Sequence, residues 1–318
     1  MLPQSERLKW GAKMEEQEKE YEQDKWKIAL RSELVTAMAG DFRERKHAYG
    51  EIGYYYQCYA PASLYKYYSD SQLHLNSIRN NKMWYSAPCN FNDVFDCNIA
   101  IVEQKVFNEA LKLFPDKRGI RPGSKIWKDF WTIMKQQLKM LQTKFDGLKN
   151  TTGVSCLSES EDSLLMWAHY ANNHCGMCVE YDLLEINSIL NFTAVPVIYS
   201  GKRPCFDFFD LQNLERDTLK LFIQSLTSKS PEWNYEKEWR IIRDQGACGD
   251  NWNIEKKGAL LEMIRPISII LGCAAKPEFE QEVIDYCSAN KINLYKMEKD
   301  PIKYRLNKKV VMEFDKED

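Results

Sequence analysis

The sequence contains no apolar run long enough to form a membrane-spanning helix, and its first residues lack the apolar core of a secretory signal. It also lacks a strong excess of charge of either sign, because its 44 Lys and Arg residues nearly balance its 46 Asp and Glu residues. A near-neutral chain does not present a uniformly basic nucleic-acid-binding surface, although a local basic channel is compatible with it. We therefore expect a cytoplasmic protein that does not associate with membranes.

Several motifs of common enzymes are missing as well. The sequence has neither the glycine-rich fingerprint of dinucleotide-binding folds nor a Walker loop, and no serine or cysteine has the local context of a catalytic nucleophile. Ten cysteines without a secretory signal indicate reduced thiols. Cys175 and Cys178 have metal-ligand spacing, but no second pair follows at zinc-finger distance. We predict that both are metal-free and packed as small apolar side chains.

The most informative stretch is Gly153–Asp182, which holds three of the ten cysteines, two of the four histidines and a tryptophan. Its two ends are rich in apolar and β-branched residues and predict strands. Between them, Asp162 or Ser163 can cap a short helix that runs through Tyr170. A strand–helix–strand unit this rich in aromatic residues forms either a dense core or the wall of a pocket.

A strand–helix–strand unit also precedes this stretch. Alternation predicts a strand over Ser63–Ser69 and a second strand over Lys82–Pro88, with a helix over Ser71–Asn81 between them. With 44% hydrophobic and 13% aromatic residues, the chain has ample material for a sizeable core around such units.

The loop that follows has the sequence CNFNDVFDC over residues 89–97. Asn92 and Asp93 favour tight turns and local hydrogen bonds to the backbone. Asp93 and Asp96 carry carboxylates that suit a metal ion or an arginine, but two carboxylates without a histidine or a third acid make a poor metal site. We predict that Asn92, Asp93 and Asp96 stabilise the loop and that no metal is bound.

The remaining segments complete an α+β pattern. Residues 1–50 read as an amphipathic helical arm, which either packs on the body or binds a partner or a second copy. Residues 51–318 read as one α+β domain that begins with a tyrosine-rich link to Pro61 and contains a helical insertion at about 103–150. Its later part predicts these elements in order: strand Ala194–Tyr199, helix Asp207–Ser228, strand Ile264–Gly272, helix Lys276–Asn290 and strand Lys291–Glu298. We expect a twisted mixed or antiparallel sheet.

The second informative stretch is Ser230–Arg243. Residues 235–242 look like a strand, whose alternation places Glu236, Glu238 and Arg240 on one face. Such charges are costly to bury unless they are paired or used in chemistry. They form either a solvent-facing ladder of salt bridges or part of a functional site.

Four motifs together resemble a known family. LYKYYS, FNDVFDC, MWAHYANNHCGMCVEYD and YEKEWRII occur in that order and resemble a widespread prokaryotic family classed as a domain of unknown function. The resemblance extends from about Leu64 to Gly272, and it implies no activity by itself.

The order of elements is also similar to that of ADP-ribosyltransferases, especially bacterial DNA-modifying toxins related to the diphtheria-toxin group. This resemblance implies an ADP-ribosyltransferase-like fold, NAD as a substrate, and a toxin or phage-defence effector whose acceptor is a nucleic acid or a protein. It makes Glu238 the catalytic glutamate and Glu236 its partner in an E-x-E pattern. The implied NAD-binding residues are Lys66, Tyr67, Tyr85, Ser86, Trp167, His169 and Tyr170.

The proposed chemistry gives each group a role. Cleavage of the nicotinamide–ribose bond passes through an oxocarbenium-like state, which a carboxylate near the ribose stabilises. We predict that Trp167, His169, Tyr170 and Tyr85 line one pocket. We further predict that Arg240 holds Asp93 or Asp96 in a bidentate pair, so that Glu238 stays free for the ribose.

Two other classes of function remain open. One is a metal-dependent nuclease or other hydrolase that uses Glu236, Glu238, His169 and Asp93. The other is a binding or sensor module that keeps the pocket for recognition alone.

Overall fold

The computed structural model describes residues 25–112, 121–189, 194–206 and 214–314. The chain divides into two compact units. The first comprises Met1–Ala60, Asn98–Thr132 and Arg203–Ser228, and the second comprises Pro61–Cys97, Ile133–Lys202 and Lys229–Asp318. No described helix is sufficiently long and apolar to cross a membrane.

The elements are numbered here in chain order. The described helices are α1 (25–39), α2 (Phe42–Tyr59), α3 (Gln72–Arg79), α4 (Glu103–Lys112), α5 (Lys125–Thr151), α6 (Leu164–Tyr170), α7 (Leu183–Ile189), α8 (Leu214–Leu226), α9 (Gln245–Cys248) and α10 (Pro277–Asn290). The described strands are β1 (Ser63–Tyr68), β2 (Lys82–Ser86), β3 (Thr152–Ser158), β4 (Met177–Asp182), β5 (Val195–Pro196), β6 (Ile198–Tyr199), β7 (Ser228–Lys229), β8 (Glu238–Asp244), β9 (Trp252–Asn253), β10 (Gly258–Glu262), β11 (Ser268–Leu271), β12 (Asn293–Lys299) and β13 (Leu306–Met312).

The first unit is mostly helical in its described part. Asp41 begins α2 with a capping box, in which its side chain accepts from the amide of Glu44 and the Glu44 side chain accepts from the amide of Asp41. The predicted tyrosine-rich link to Pro61 is wrong, since α2 continues to Tyr59. Helix α2 ends there because Ala60, directly before Pro61, is extended. Residues 1–24 of the predicted arm lie outside the described residues.

The second unit is built on a large, mostly antiparallel sheet, which confirms the α+β class. Its strands lie in the order β13-β12-β11-β4-β1-β3-β2-β10-β9, and β8 pairs with β3 and β5. Strands β11 and β12 are parallel, because α10 carries the chain back between them.

The sheet opens around β3. Strand β3 pairs with β8 along its whole length, from Thr152 to Ser158. Its pairing with β1 is a single pair, Tyr65 with Ser158, and its pairing with β2 is also a single pair, Ser86 with Val154. Strand β1 therefore meets β3 at its end, at Ser158, and β2 meets it at Val154, and the opening between these two pairs becomes the cavity described below.

The predicted elements of the second unit agree with the structure in most places. Strands β1 to β4 and helices α3 and α6 lie where the patterns placed them, and Ser163 caps α6 by accepting from the amide of Met166. Residues 194–199 form two short strands on either side of Val197. Strands β7, β9, β10 and β13 were not predicted.

The predicted strand over residues 235–242 is wrong in its first part. Pro231 begins a 3₁₀ helix that runs to Glu236, and Lys237 has a positive φ of 44°, so that β8 begins only at Glu238. A proline suits the first position of a helical turn, since it has no amide to leave unpaired. Glu236 and Glu238 therefore meet through a turn and not through strand alternation.

Candidate functional site

A cavity of about 390 Å³ lies where β1 and β2 leave β3. We call it the central cavity. Its polar lining comprises Lys66, Ser86, Asn90, Asn92, Asp96, Lys229, Glu236 and Glu238. Its aromatic and apolar lining includes Tyr65, Tyr67, Trp84, Phe91, Met166 and Tyr170. The volume is within the range of small-molecule sites.

Five buried charged residues form one cluster beside this cavity, and none is more than 7% exposed. We call them the charge cluster, and they are Asp96, Lys229, Glu236, Glu238 and Arg240. The guanidinium of Arg240 lies at its centre. It donates to both carboxylate oxygens of Asp96, at 2.9 and 2.7 Å, and to both oxygens of Glu238, at 2.8 and 3.0 Å. Such bidentate pairs fix a carboxylate in position as well as in charge.

Lys229 connects the two glutamates. Its ammonium donates to Glu236 Oε2 at 2.5 Å and to Glu238 Oε2 at 3.1 Å, and it lies 3.7 Å from Asp96 Oδ2. The same ammonium lies 4.7 Å from the centre of the Trp233 ring. A lysine this well surrounded stays charged, because Glu238 and Glu236 outweigh the effect of burial and raise its pKa.

The pKa values of the two glutamates are shifted in opposite directions. Burial alone would raise the pKa of Glu238, but Arg240 and Lys229 outweigh burial and hold that pKa well below its ordinary value. Burial, and after it the charge of Glu238, raise the pKa of Glu236, despite Lys229 and a 2.6 Å hydrogen bond from the Tyr170 hydroxyl. Two carboxyls whose pKa values are driven apart suit different roles in acid–base chemistry.

Lys66 faces the cavity from β1. Its ammonium donates to the carbonyl oxygen of Cys156 at 2.9 Å, and burial lowers its pKa. The Cys156 thiol is itself a lining group, and burial followed by the charge of Glu238 raises its pKa. Cys156 is therefore protonated at neutral pH and is no thiolate nucleophile.

Comparison with known proteins finds a similarity to one family over part of the chain. Residues 166–241 match DUF2971, described as a protein of unknown function. This DUF2971 segment includes all members of the charge cluster except Asp96, together with Tyr170. Neither a curated protein nor a solved structure matches the chain.

The DUF2971 segment and the strands before it bring many predicted site residues together. The predicted residues that line the central cavity are Lys66, Tyr67, Ser86, Asn92, Asp96, Tyr170, Glu236 and Glu238. Asp96 is the carboxylate that Arg240 holds in a bidentate pair, as one of the two predicted alternatives. Asp93 instead accepts from the amide of Phe95 at 2.8 Å and stabilises its own turn.

Three predicted pocket residues lie elsewhere. Tyr85 is fully buried, because alternation along β2 directs it away from the face of Trp84 and Ser86. Trp167 is also fully buried, with its indole nitrogen donating to the carbonyl of Glu161 and its ring edge-on to Tyr67. The prediction that both line the pocket is wrong, because both side chains are packed in the core instead.

His169 is the third. It is exposed on α6, with its ring 6.4 Å from that of Tyr170 and 6.3 Å from that of Tyr235. The short helix directs Met166 and Tyr170, four residues apart, into the cavity and leaves His169 outside its lining.

The prediction that Glu238 stays free is also wrong, since both of its oxygens accept from Arg240 and one also accepts from Lys229. Lys229 was missed. Its sequence neighbours, TSKSPEW, contain no pattern that identifies a functional lysine. The one available signal was indirect: if Glu236, Glu238 and an aspartate are buried together, they need more positive charge than Arg240 alone supplies.

The described residues contain no group of three or more His, Cys, Asp and Glu residues arranged around a possible metal position. The carboxylates of the charge cluster already accept from ammonium and guanidinium groups. All ten cysteines are free; Cys178 is fully buried and Cys175 is partly exposed.

Proposed function

We propose that the central cavity binds NAD and that the protein is an NAD-consuming, ADP-ribosyltransferase-like enzyme. The observation that carries the proposal is the pair Glu236 and Glu238 in one aromatic-lined cavity, with one carboxyl held ionised and the other with a raised pKa. The choice of NAD as the substrate rests on the resemblance of the element order to that of ADP-ribosyltransferases.

The reaction breaks one bond and forms another at C1 of the ribose attached to nicotinamide. Nicotinamide leaves with the electron pair of the carbon–nitrogen bond, and positive charge develops on the ribose. The ionised carboxylate of Glu238 stabilises that charge, and Arg240 and Lys229 fix its position before the reaction. An acceptor hydroxyl or amine then bonds to C1, and its proton passes to the carboxylate of Glu236.

The cavity walls suit the flat rings of such a substrate. Trp84, Phe91 and Tyr170 each present an aromatic side chain to it. Aromatic rings bind a planar heterocycle by offset or edge-on contacts. Lys66 supplies a cation at the wall formed by β1.

The decisive experiment incubates the purified protein with NAD and measures released nicotinamide by liquid chromatography. We expect release by the wild type and loss of about a hundredfold in the Glu238→Gln variant, the usual scale for a lost electrostatic stabiliser. Glu262→Gln is the matched control, because Glu262 is exposed on β10. Nicotinamide release that is equal in wild type and Glu238→Gln would contradict the assignment.

Because Glu238 also belongs to the charge cluster, a second variant separates chemistry from folding. Tyr170→Phe removes the hydroxyl that bonds to Glu236 and to Asn92, and leaves every ion pair of the charge cluster in place. We expect it to fold and to release nicotinamide more slowly.

A second candidate function is recognition without turnover. It is favoured by the complete pairing of Glu238, since a carboxylate with both oxygens bonded also serves a rigid binding site. NAD that binds stoichiometrically, measured by calorimetry, and is recovered intact after long incubation would support this module over the enzyme.

A further inference from the structure

A second cavity, of about 360 Å³, lies elsewhere in the same unit. It is enclosed by the chain that leaves α6, the turn after β11 and the loop between β12 and β13. We call it the cationic cavity, because Lys299, Lys303 and Arg305 line it together with His174. Among the residues that the structure describes, Asp300 is the only acidic one in its lining.

The charges of this cavity are not balanced from within. Asp300 accepts from the amides of Ile302 and Lys303, from the Nε of Arg305 and from the side chain of Asn307. Its carboxylate is therefore engaged in holding the loop. In the part of the chain that the structure describes, the ammonium groups of Lys299 and Lys303 have no ion-pair partner. Lys299 and Lys303 are exposed, so water and salt screen the repulsion between them, and an anion in the cavity is attracted to both.

A buried polar atom adds a second observation. The Nδ1 atom of His174 is buried and has no hydrogen-bond partner. Burial, and after it the charge of Lys299, lower the pKa of this histidine. A neutral imidazole carries a proton on one of its nitrogens, and His174 lines the cavity, so its side chain can donate to an anionic oxygen there.

The backbone holds His174 in a conformation that most residues avoid. Asn172, Asn173 and His174 all have positive φ angles, of 46°, 53° and 67°. The carbonyl of His174 accepts from the amide of Ala274, and a Cβ at Gly272 would collide with that carbonyl. Strained residues persist where the surrounding structure holds them, and they concentrate at binding sites.

From these contacts we infer that the cationic cavity binds the phosphate group of a small ligand. Phosphate offers several oxygens to the two ammonium groups and to the imidazole, whereas a halide offers a single centre. Tyr304, which is fully exposed at the loop tip, lines the same cavity. The ligand is therefore either a nucleotide, whose base would contact Tyr304, or free phosphate. The inference is independent of the chemistry proposed for the central cavity.

The test measures binding by calorimetry at low salt with three probes: inorganic phosphate, adenosine monophosphate and adenosine. We expect the two phosphate-bearing probes to bind and adenosine not to bind. Tighter binding of the nucleotide would identify a nucleotide site, whereas equal affinities would identify a site for the free anion. Failure of both phosphate-bearing probes to bind the wild type would overturn the inference.

The double variant Lys299→Ala with Lys303→Ala should weaken binding roughly tenfold or more, because two charge-assisted bonds are lost. The matched control removes two exposed lysines that do not line this cavity, Lys256→Ala with Lys309→Ala, and changes the net charge equally. Equal weakening in both double variants would show nonspecific attraction and would also overturn the inference. Since neither pair touches the central cavity, nicotinamide release should be unchanged in both.

Discussion

Replacing Arg240 with methionine tests whether the charge cluster stabilises this unit. The guanidinium donates to both oxygens of Asp96 and of Glu238, and it has no exposed surface. Methionine keeps part of the volume but leaves two buried carboxylates with Lys229 as their remaining cation. Removing one partner of a buried ion pair costs about 3 to 5 kcal/mol.

A second route gives the same magnitude. The variant can relieve the repulsion by protonating one carboxyl, whose ordinary pKa is about 4. At pH 7 this protonation costs about 4 kcal/mol, because each pH unit above the pKa adds about 1.36 kcal/mol. At pH 5 the same protonation costs only about 1.4 kcal/mol. The loss of stability should therefore be large at pH 7 and much smaller at pH 5.

The assay is urea denaturation at both pH values, with hydrogen exchange on peptides from β3 and β8 to report this sheet. Arg265→Met is the control, since Arg265 is exposed and makes one bond to a backbone carbonyl; we expect a change of no more than about 0.5 kcal/mol. Adding Asp96→Leu to Arg240→Met removes one charge of each sign and should recover much of the loss. The reasoning fails if Arg240→Met is as stable as the wild type at pH 7, or if its loss is the same at pH 5.

Three further predictions follow from the same site. Nicotinamide release should fall about a hundredfold in Glu238→Gln, measured with NAD in excess. The pKa of Glu236 is raised above its ordinary 4.5, so ionising Glu236 costs more in the folded state than in the unfolded state. The unfolding free energy of the wild type relative to Glu236→Gln should therefore decrease as pH rises above 4.5. A flat difference from pH 4 to pH 8 would contradict the raised pKa. Lys66→Met should weaken NAD binding in calorimetry while leaving the thermal midpoint nearly unchanged, since Lys66 makes one bond to a carbonyl; unchanged affinity would remove Lys66 from the site.

Much of the local structure of the second unit could be predicted from its sequence. The strands β1 and β2 have clear alternation, and α6 has a serine cap followed by apolar residues at helical spacing. These signals are local, so no knowledge of the rest of the fold is needed to interpret them. The turn before β8 was harder to predict from the sequence, because PEWNYE suits both a 3₁₀ helix that begins at a proline and an alternating strand.

The composition of the site depended on contacts between distant parts of the chain. Arg240 and Asp96 are 144 residues apart, and their pairing was one of two predicted alternatives because opposite charges in a core must be matched. The division of the aromatic residues between core and cavity could not be predicted, since it depends on how the sheet opens. Trp167 and Tyr170 lie on one short helix, yet the first is fully buried in the core and the second donates to Glu236.

The complete pairing of Glu238 bears directly on its proposed role. An unpaired carboxylate in a cavity would be neutralised by protonation, because desolvation raises its pKa. Arg240 and Lys229 prevent this by holding the pKa of Glu238 low, so the negative charge is present before any substrate binds. A fixed charge of this kind needs no reorganisation when positive charge develops on a ribose. The bonds from Arg240 and Lys229 that stabilise the fold at Glu238 are therefore the same bonds that would fix its charge for the reaction. For this reason Glu238→Gln must be compared with Tyr170→Phe, a variant that leaves those bonds intact.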